Sequence, residues 1–315
     1  MSFRFSRRIL LVLLLLCSLA CDKDEDKGTR GTKDNPWVIG MSQCNLGEPW
    51  REQMNKDIEA AAKKHDKIKV VFKDAQNDND TQRTHVEEFI TQGVDLLIIS
   101  PKDTGLTKTV AEAFDKKVPV IVLDRAVDGD KFTVFIGGDN KVIGRAAGDW
   151  VKKTLGGKGK IVELRGLMTS TPAQDRHNGF REGLGDGIEV VFDAEMDWLE
   201  GKARSEMESA LTRNKEIDLV YAHNDPGAHG AYLAAKAAGR AKEIKFVGID
   251  ALPHEGVRYV EQGILAATFT YPTLGPEAID TALEILEGKK VPKKKTLGTR
   301  IFTKDNVAKG GEDVK

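Results

Sequence analysis

From Trp37 onward the chain alternates short apolar runs with longer amphipathic stretches. The apolar runs of the first half, rich in Val and Ile, are WVIGM, IKVVF, DLLIIS, VPVIVL and FTVFI. Such runs predict buried strands, and the helical spacing of apolar residues between them predicts helices over Trp50–His65, Asn79–Gln92 and Gly105–Lys117. Strands that are apolar throughout and alternate with helices predict a parallel sheet covered on both faces.

The second half repeats this pattern. Its strand-like runs are KIVEL, IEVVF, DLVYA, IKFVGI and ILAATFT, and its predicted helices cover 174–184, 201–213, 226–238 and 254–262. The distance from one strand to the next is that of a βαβ unit, and 315 residues exceed what one core usually supports. We therefore predict an α/β protein with two similar doubly wound parallel-sheet domains. They join near FIGGDN, at 135–140, where paired glycines interrupt the pattern.

The N-terminus breaks the pattern. Arg4, Arg7 and Arg8 precede the apolar run ILLVLLLLCSLA, and the charged tract CDKDEDKG comes directly after it. A helix needs about 20 apolar residues to cross a bilayer, so this shorter run is typical of an export signal, predicted over residues 1–20. The mature protein is then expected outside the cytoplasm.

Cys21 lies where that signal would be cleaved. The stretch SLAC resembles the lipobox of bacterial lipoproteins, whose cysteine is acylated and becomes the new N-terminus. On that resemblance a lipid at Cys21 would anchor the protein to a membrane, with residues 21–35 as a flexible tether. Plain cleavage after Ala20 is the alternative. Of the three cysteines only Cys44 lies in the predicted folded part, so no internal disulfide is expected.

Composition and motifs remove several function classes. The net charge is −1, and without a surplus of Lys and Arg no nucleic-acid partner is expected. The stretch GGKGK lacks the spacing of a phosphate loop, and His223 and His229 are too far apart in sequence for one helical metal site, so no metal or cofactor is predicted. No nucleophile motif appears. Asp225 and Asp250 leave an acid–base pair, as in a glycoside hydrolase, open as the enzyme alternative.

Polar side chains come directly after nearly every predicted strand. In open α/β sheets ligands bind beyond the carboxyl ends of the strands. The residues at these ends are Ser42, Gln43, Ser100, Asp124, Arg125, Asp139, Asn140, Arg165, His223, Asn224, Asp225, Asp250 and Tyr271. Any one of them could be only a turn or cap residue, but as a set they predict a binding site.

The chemistry of this set favours a neutral polyol. Asp124 accepts hydrogen bonds and Arg125 donates them, which suits hydroxyl groups that do both. Trp50, Trp198 and Tyr271 lie near these positions and offer flat faces to the C–H side of a sugar ring, although a tryptophan in a helix or turn is more often part of the core.

Six segments in order resemble the periplasmic sugar-binding proteins of the ribose-binding type, the solute receptors of ABC importers. They are IGMSQCNLGEPW, EFITQGVDLLIISP, VPVIVLDRAVDG, FIGGDNKVIGRAAGDW, DLVYAHND and FVGIDALP, and the similarity spans about residues 37–305. Within the family the galactofuranose-binding receptors share the features SQ, WR, QGVD, LDR, VYAHND and ID.

The resemblance implies roles for individual residues. Trp50 would stack on the sugar, Arg51 would donate to its hydroxyls, and Asp124 with Arg125 would clamp ring hydroxyls, while Arg176 would reach in from the second domain. The remaining matched positions are Ser42, Ser100, Trp198, Asn224 and Asp250. Tyr271 and the pair Glu48 and Arg51 depart from the ribose-binding pattern, which has glutamine at the first position and asparagine and phenylalanine at the others. This disfavours ribose itself but leaves a furanose, another pentose or a hexose.

The resemblance also implies a three-segment hinge with crossings near 137–139, 270–272 and 294–297. The first domain would comprise 36–138 plus 272–295, including a last helix near 275–288, and the second 139–271 plus 296–315. A monomeric receptor would close on its sugar by hinge motion and dock on the importer permease. A sugar-sensing lipoprotein that signals to a kinase or chemoreceptor fits the same residues.

Overall fold

The computed structural model describes residues 29–314. The strands are β1 (Trp37–Gln43), β2 (Ile68–Asp74), β3 (Leu96–Ser100), β4 (Val120–Leu123), β5 (Val134–Gly138), β6 (Gly159–Arg165), β7 (Ile188–Glu195), β8 (Leu219–Ala222), β9 (Lys245–Asp250), β10 (Ala267–Thr270), β11 (Lys294–Leu297), β12 (Arg300–Thr303) and β13 (Glu312–Asp313). The helices are α1 (Pro49–Ala62), α2 (Asn79–Gln92), α3 (Thr107–Asp115), α4 (Asn140–Thr154), α5 (Thr171–Leu184), α6 (Glu200–Arg213), α7 (Asp225–Ala237), α8 (Gly256–Glu261) and α9 (Gly275–Leu286).

The strands form two sheets. The first has the order β11-β5-β4-β3-β1-β2, and the second has the order β13-β12-β10-β9-β8-β6-β7. Neighbouring strands run parallel, except that β12 is antiparallel to both β10 and β13. The prediction of an α/β protein with two doubly wound sheets is confirmed. The sequence patterns did not predict the short strands β11 to β13.

Local sequence explains the elements that carry the site. Every residue of β3, LLIIS, is buried, as expected for a parallel strand covered by helices on both faces. Before α2 the Asp78 side chain accepts from the Thr81 N–H at 2.7 Å, and Gly93 ends this helix in the left-handed conformation at φ 69°. Such caps fix where a helix begins and ends. They thereby fix the length of the loop between each strand and the next helix, and this loop carries the polar strand-end residues.

The chain passes between the sheets three times. The crossings come after β5, β10 and β11, and the last of these strands pairs in parallel with β5, from Lys294 opposite Phe135 to Leu297 opposite Gly138. The sequence-predicted domain boundary between 295 and 296 lies inside β11, so the chain leaves the first sheet only after Leu297. Helix α9 packs on α1, where Gly275 is so close to Asp57 that a Cβ would lie 2.5 Å from the Asp57 side chain.

The predicted signal at 1–20 and Cys21 lie outside the described residues. The described end of the predicted tether is folded against the first domain: Arg30 donates to both carboxylate oxygens of Asp95, one of them at 3.1 Å, and Asp95 also accepts from the Val38 N–H at 2.7 Å. Arg30 is therefore part of the folded first domain. Between residues 29 and 314, no helix has both the length and the apolar character needed to cross a membrane.

Candidate ligand-binding site

A small cavity lies between the carboxyl ends of the two sheets. The lining residues are Glu48, Trp50, Arg51, Asp124, Arg125, Pro172, Arg176, Trp198, Asn224, Asp250 and Tyr271.

On the first-domain side a buried ion pair forms the wall. An Arg51 Nη2 to Asp124 Oδ2 distance of 2.7 Å joins two side chains that are each only 3% exposed. Arg51 also donates to Ser100 Oγ at 2.8 Å, and its Nε lies 3.7 Å from Glu48. Asp124 has φ 64°, a left-handed conformation that Asp tolerates better than most residues. The turn after β4 therefore presents this carboxylate to the cavity.

Arg125 has hydrogen-bonding capacity that the protein leaves unused. Its Nη1 donates to the Lys102 carbonyl at 2.6 Å, which fixes the direction of the guanidinium. Its Nε and Nη2 are buried and have no hydrogen-bond partner within residues 29–314, and the nearest carboxylates, of Asp124 and Glu48, are 3.9 Å away. Buried donors are nearly always hydrogen-bonded in proteins, so this pair is suited to acceptors on a ligand.

The second-domain wall is built around Arg176, which is only 2% exposed. Its Nε donates to Asn140 Oδ1 at 2.9 Å, and its Nη1 donates to the His223 carbonyl oxygen. The guanidinium carbon lies 5.4 Å from the ring centre of Trp198 and 4.8 Å from that of Tyr271. These contacts hold the cation in the cavity wall by hydrogen bonds and cation–π attraction.

Asp250 and Asn224 complete this wall. Burial raises the pKa of Asp250 well above its ordinary value, the Asp225 and Glu255 carboxylates raise it further, and Arg176 opposes them from 3.8 Å. Asn224 caps α7 by accepting from the Gly227 N–H, and its amide also donates to a backbone carbonyl, so it has both a structural and a lining role.

The aromatic residues lie in the cavity wall. Trp50 donates its Nε1–H to the Tyr271 carbonyl at 2.9 Å, and the two ring centres are 5.2 Å apart with planes tilted by 43°. The Trp198 ring occupies the space beside Gly166, where a Cβ would come within 2.3 Å of it. Only glycine at 166 permits this position of the ring.

The two domains also touch directly beside the cavity. The Ala126 N–H, after β4, donates to Thr171 Oγ1 at the start of α5, at 2.9 Å. Tyr271 lies at the second crossing, and its ring covers Gly138 of the first crossing. The structure is therefore closed around the cavity.

Ten of the twelve sequence-predicted site residues line this cavity. The other two lie behind them: Ser100 accepts from Arg51, and Ser42 is buried with no hydrogen bond from its hydroxyl in the described part of the chain. Sequence reasoning missed Pro172, because a proline at the start of a helix carries no binding chemistry that marks it. Arg176, which only the resemblance placed in the site, is buried.

The acid–base alternative lacks the necessary geometry. Asp225 is fully buried behind the cavity, and its carboxylate accepts from Thr268 Oγ1 at 2.6 Å and from the Ala251 N–H at 2.7 Å. Only Asp250 of the predicted pair lines the cavity. Over residues 29–314, no group of three or more His, Cys, Asp or Glu side chains could hold a metal ion.

Comparison with known proteins identifies relatives across most of the chain. A family model described as a periplasmic binding protein domain matches residues 39–290. The ribose import binding protein of Bacillus subtilis is 33% identical over 90% of this chain and 92% of its own, and the galactofuranose-binding protein of Escherichia coli is 31% identical over 83% and 86%. Among solved structures, the fructose-binding periplasmic domain of a hybrid two-component system has a TM-score of 0.84 and 43% identity, covering 87% of this chain and 93% of its own.

Proposed function

The chain belongs to the periplasmic binding protein family, and on that premise we propose that it is the receptor of an ABC sugar importer, holding one monosaccharide in the cavity between its domains. It is a binding protein that acts outside the cytoplasm, and it is not an enzyme. The sugar would bridge the two domains and stabilise the closed form, in which the receptor docks on the permease.

The observation that carries this proposal is the unused hydrogen-bonding capacity of Arg125. Two of its donors, Nε and Nη2, are buried without a hydrogen-bond partner among the described residues, and Arg125 lines the cavity together with Asp124 and Asp250. The cavity lining combines three arginines with three carboxyl groups, so it offers both donors and acceptors to a ligand. This pattern suits vicinal hydroxyls, each of which can donate and accept.

The relatives narrow the candidate ligands. The three relatives are named for ribose, galactofuranose and fructose. We propose a furanose, a pentose or a hexose, and D-fructose is the first probe because the fructose-binding relative is 43% identical.

The experiment is a thermal-shift and calorimetry screen of the purified protein against D-fructose, D-ribose, L-arabinose and D-galactose. A ligand that binds only the native state raises the melting temperature. We expect at least one sugar to bind with 1:1 stoichiometry and to lose most of its affinity in Arg176→Ala. Methyl glycosides and sugar phosphates serve as controls, and absence of binding by every saccharide would contradict the proposal.

A second candidate function is sugar sensing, since the fructose-binding relative is a domain of a two-component system. The closed form would then bind a membrane kinase or chemoreceptor instead of a permease. Reconstitution with each membrane partner separates the two functions: stimulated ATP hydrolysis indicates import, and stimulated phosphotransfer indicates sensing.

We further propose that the protein is a monomer anchored to the membrane by a lipid on Cys21. The support is the apolar run that ends in SLAC in the sequence. Labelling of cells with a fatty-acid analogue should mark the wild type but not Cys21→Ser, and the labelled protein should fractionate with membranes. Unlabelled wild-type protein in the soluble extracytoplasmic fraction would instead indicate plain cleavage.

A further inference from the structure

A buried polar cluster lies behind the second-domain wall of the cavity and does not line it. Glu163 on β6 and His223 after β8 are both 0% exposed. Glu163 Oε1 contacts His223 Nε2 at 3.2 Å and His177 Nδ1 at 2.9 Å, and its Oε2 accepts from Arg181 Nε at 2.8 Å. The proposed function uses neither Glu163 nor the His223 ring.

The hydrogen bonds assign the proton on the His223 ring. The Gly166 N–H donates to Nδ1 at 3.2 Å, so Nδ1 is the acceptor, and Nε2 must carry the proton that it donates to Glu163. Burial lowers the pKa of His223, which keeps the ring neutral. Burial alone would raise the pKa of Glu163, but hydrogen bonds from His177 and His223 together with the positive charge of Arg181 lower this pKa to about 2.

The backbone at Gly166 and the backbone at His223 both support the cavity wall. The His223 carbonyl accepts from Arg176, and Gly166 provides the surface against which the Trp198 ring packs. The His223 ring joins these segments by its bond to the Gly166 N–H. Arg176 and Trp198, whose guanidinium and ring centre are 5.4 Å apart, therefore depend on a common support.

We infer that Glu163 and His223 are positioning residues, which fix the guanidinium of Arg176 and the ring of Trp198 for sugar binding without touching the sugar. Glu163 holds the His223 imidazole in its Nε2–H form. The imidazole then fixes both the Gly166 backbone and its own carbonyl group. This inference rests on the proposed function for its effect on affinity, but its structural part can be tested without ligand.

The ligand-free test is nuclear magnetic resonance of the whole protein with ¹⁵N-labelled histidine and arginine. We expect His223 to remain the neutral Nε2–H tautomer from pH 5 to 8, and the Arg176 Nε–H to exchange slowly. In Glu163→Gln only one side-chain oxygen remains to accept from three donor side chains, so the His223 signals should shift and the Arg176 Nε–H should exchange faster. A His223 ring that is protonated, or that carries its proton on Nδ1, in the wild type would overturn the inference.

The matched control is Asp193→Asn. Asp193 also contacts Arg181, at 3.3 Å, but it is more exposed and makes no contact with His223. This variant should leave both the His223 signals and the Arg176 exchange unchanged. If Asp193→Asn and Glu163→Gln alter them equally, the effect comes from Arg181 and not from the carboxylate–imidazole contact, and the inference fails.

The affinity for D-fructose tests whether the two positioning residues matter for sugar binding. His223→Leu should weaken this affinity on the order of 10-fold, because a buried hydrogen-bonding group is lost. His223→Gln should recover most of the lost affinity, because its amide supplies one donor and one acceptor. In an Arg176→Lys background the effect of His223→Leu should largely vanish. Equal effects of His223→Leu in both backgrounds would indicate general destabilisation and refute positioning. If no sugar of the panel binds the wild type, the proposed function fails, while the ligand-free measurements still decide this inference.

Discussion

Replacement of Arg125 by lysine separates binding from folding. In the folded protein Arg125 makes one hydrogen bond, from Nη1 to the Lys102 carbonyl, while Nε and Nη2 have no protein partner within the described residues. Lysine keeps the positive charge opposite Asp124 and Glu48 but loses the planar pair of donors. The variant therefore removes the groups assigned to the ligand at small cost to the protein.

The expected magnitudes derive from these contacts. A hydrogen bond to a charged group contributes about 1.5–3 kcal/mol. Loss of one such bond should therefore weaken sugar binding about 10- to 150-fold, and loss of both should weaken it further. The free energy of unfolding should fall by no more than about 3 kcal/mol, since only the Lys102 carbonyl loses its bond from a charged donor. Calorimetry with the best sugar of the panel measures the first quantity, and urea unfolding without sugar measures the second.

Arg204→Lys is the matched control, because Arg204 is half-exposed on α6 and, among the described residues, forms an ion pair only with Glu208 one helical turn away. It should change neither quantity. If Arg125→Lys binds sugar as tightly as the wild type, the unused donors do not face the ligand. If it loses stability in proportion to affinity, Arg125 is chiefly structural.

Three further predictions concern the residues around the cavity. Asp124→Asn keeps the left-handed backbone at φ 64° but removes the nearer of the two carboxylates beside the buried Arg51 and leaves Glu48, 3.7 Å away; urea unfolding should show a loss of about 1.5–3 kcal/mol. Burial, together with the nearby Glu200 carboxylate, raises the pKa of Glu255 to about 7 from 4.5, so its ionisation destabilises the folded state as pH rises between these values. Glu255→Gln should therefore be more stable than the wild type at pH 8, by about 3 kcal/mol at most, and equally stable at pH 4; a gain that is the same at both pH values would exclude this cause. Gly138→Ala places a methyl group 2.7 Å from the Tyr271 ring and should weaken sugar binding, whereas Gly298→Ala, in open space at the third crossing, should not; calorimetry on both variants decides.

Much of the fold was evident in the order of apolar runs. The strand LLIIS is buried at every position, and such a run between two helices predicts a parallel central strand whatever its neighbours are. The strands β11 to β13 were missed because they are only two to four residues long and lie at the margins of the sheets; the residues KKTL of β11, for example, carry no apolar periodicity. Their position depends on the pairing of β11 with β5, of β12 with β10 and of β13 with β12, which no local pattern encodes.

The sequence by itself determined which polar residues lie at the strand ends, since parallel strands place their carboxyl ends on one edge and the next residues along the chain must lie there. Asp124, Arg125 and Asp250 were found in this way. Only the tertiary structure decided which of these side chains share a cavity. It placed Asp225 and Ser100 behind the lining, brought Arg176 in from a helix face, and left two donors of Arg125 unbonded. The reason is that strand position sets an approximate location, whereas the direction of a side chain depends on contacts with residues far away in sequence, such as the His223 carbonyl that holds Arg176.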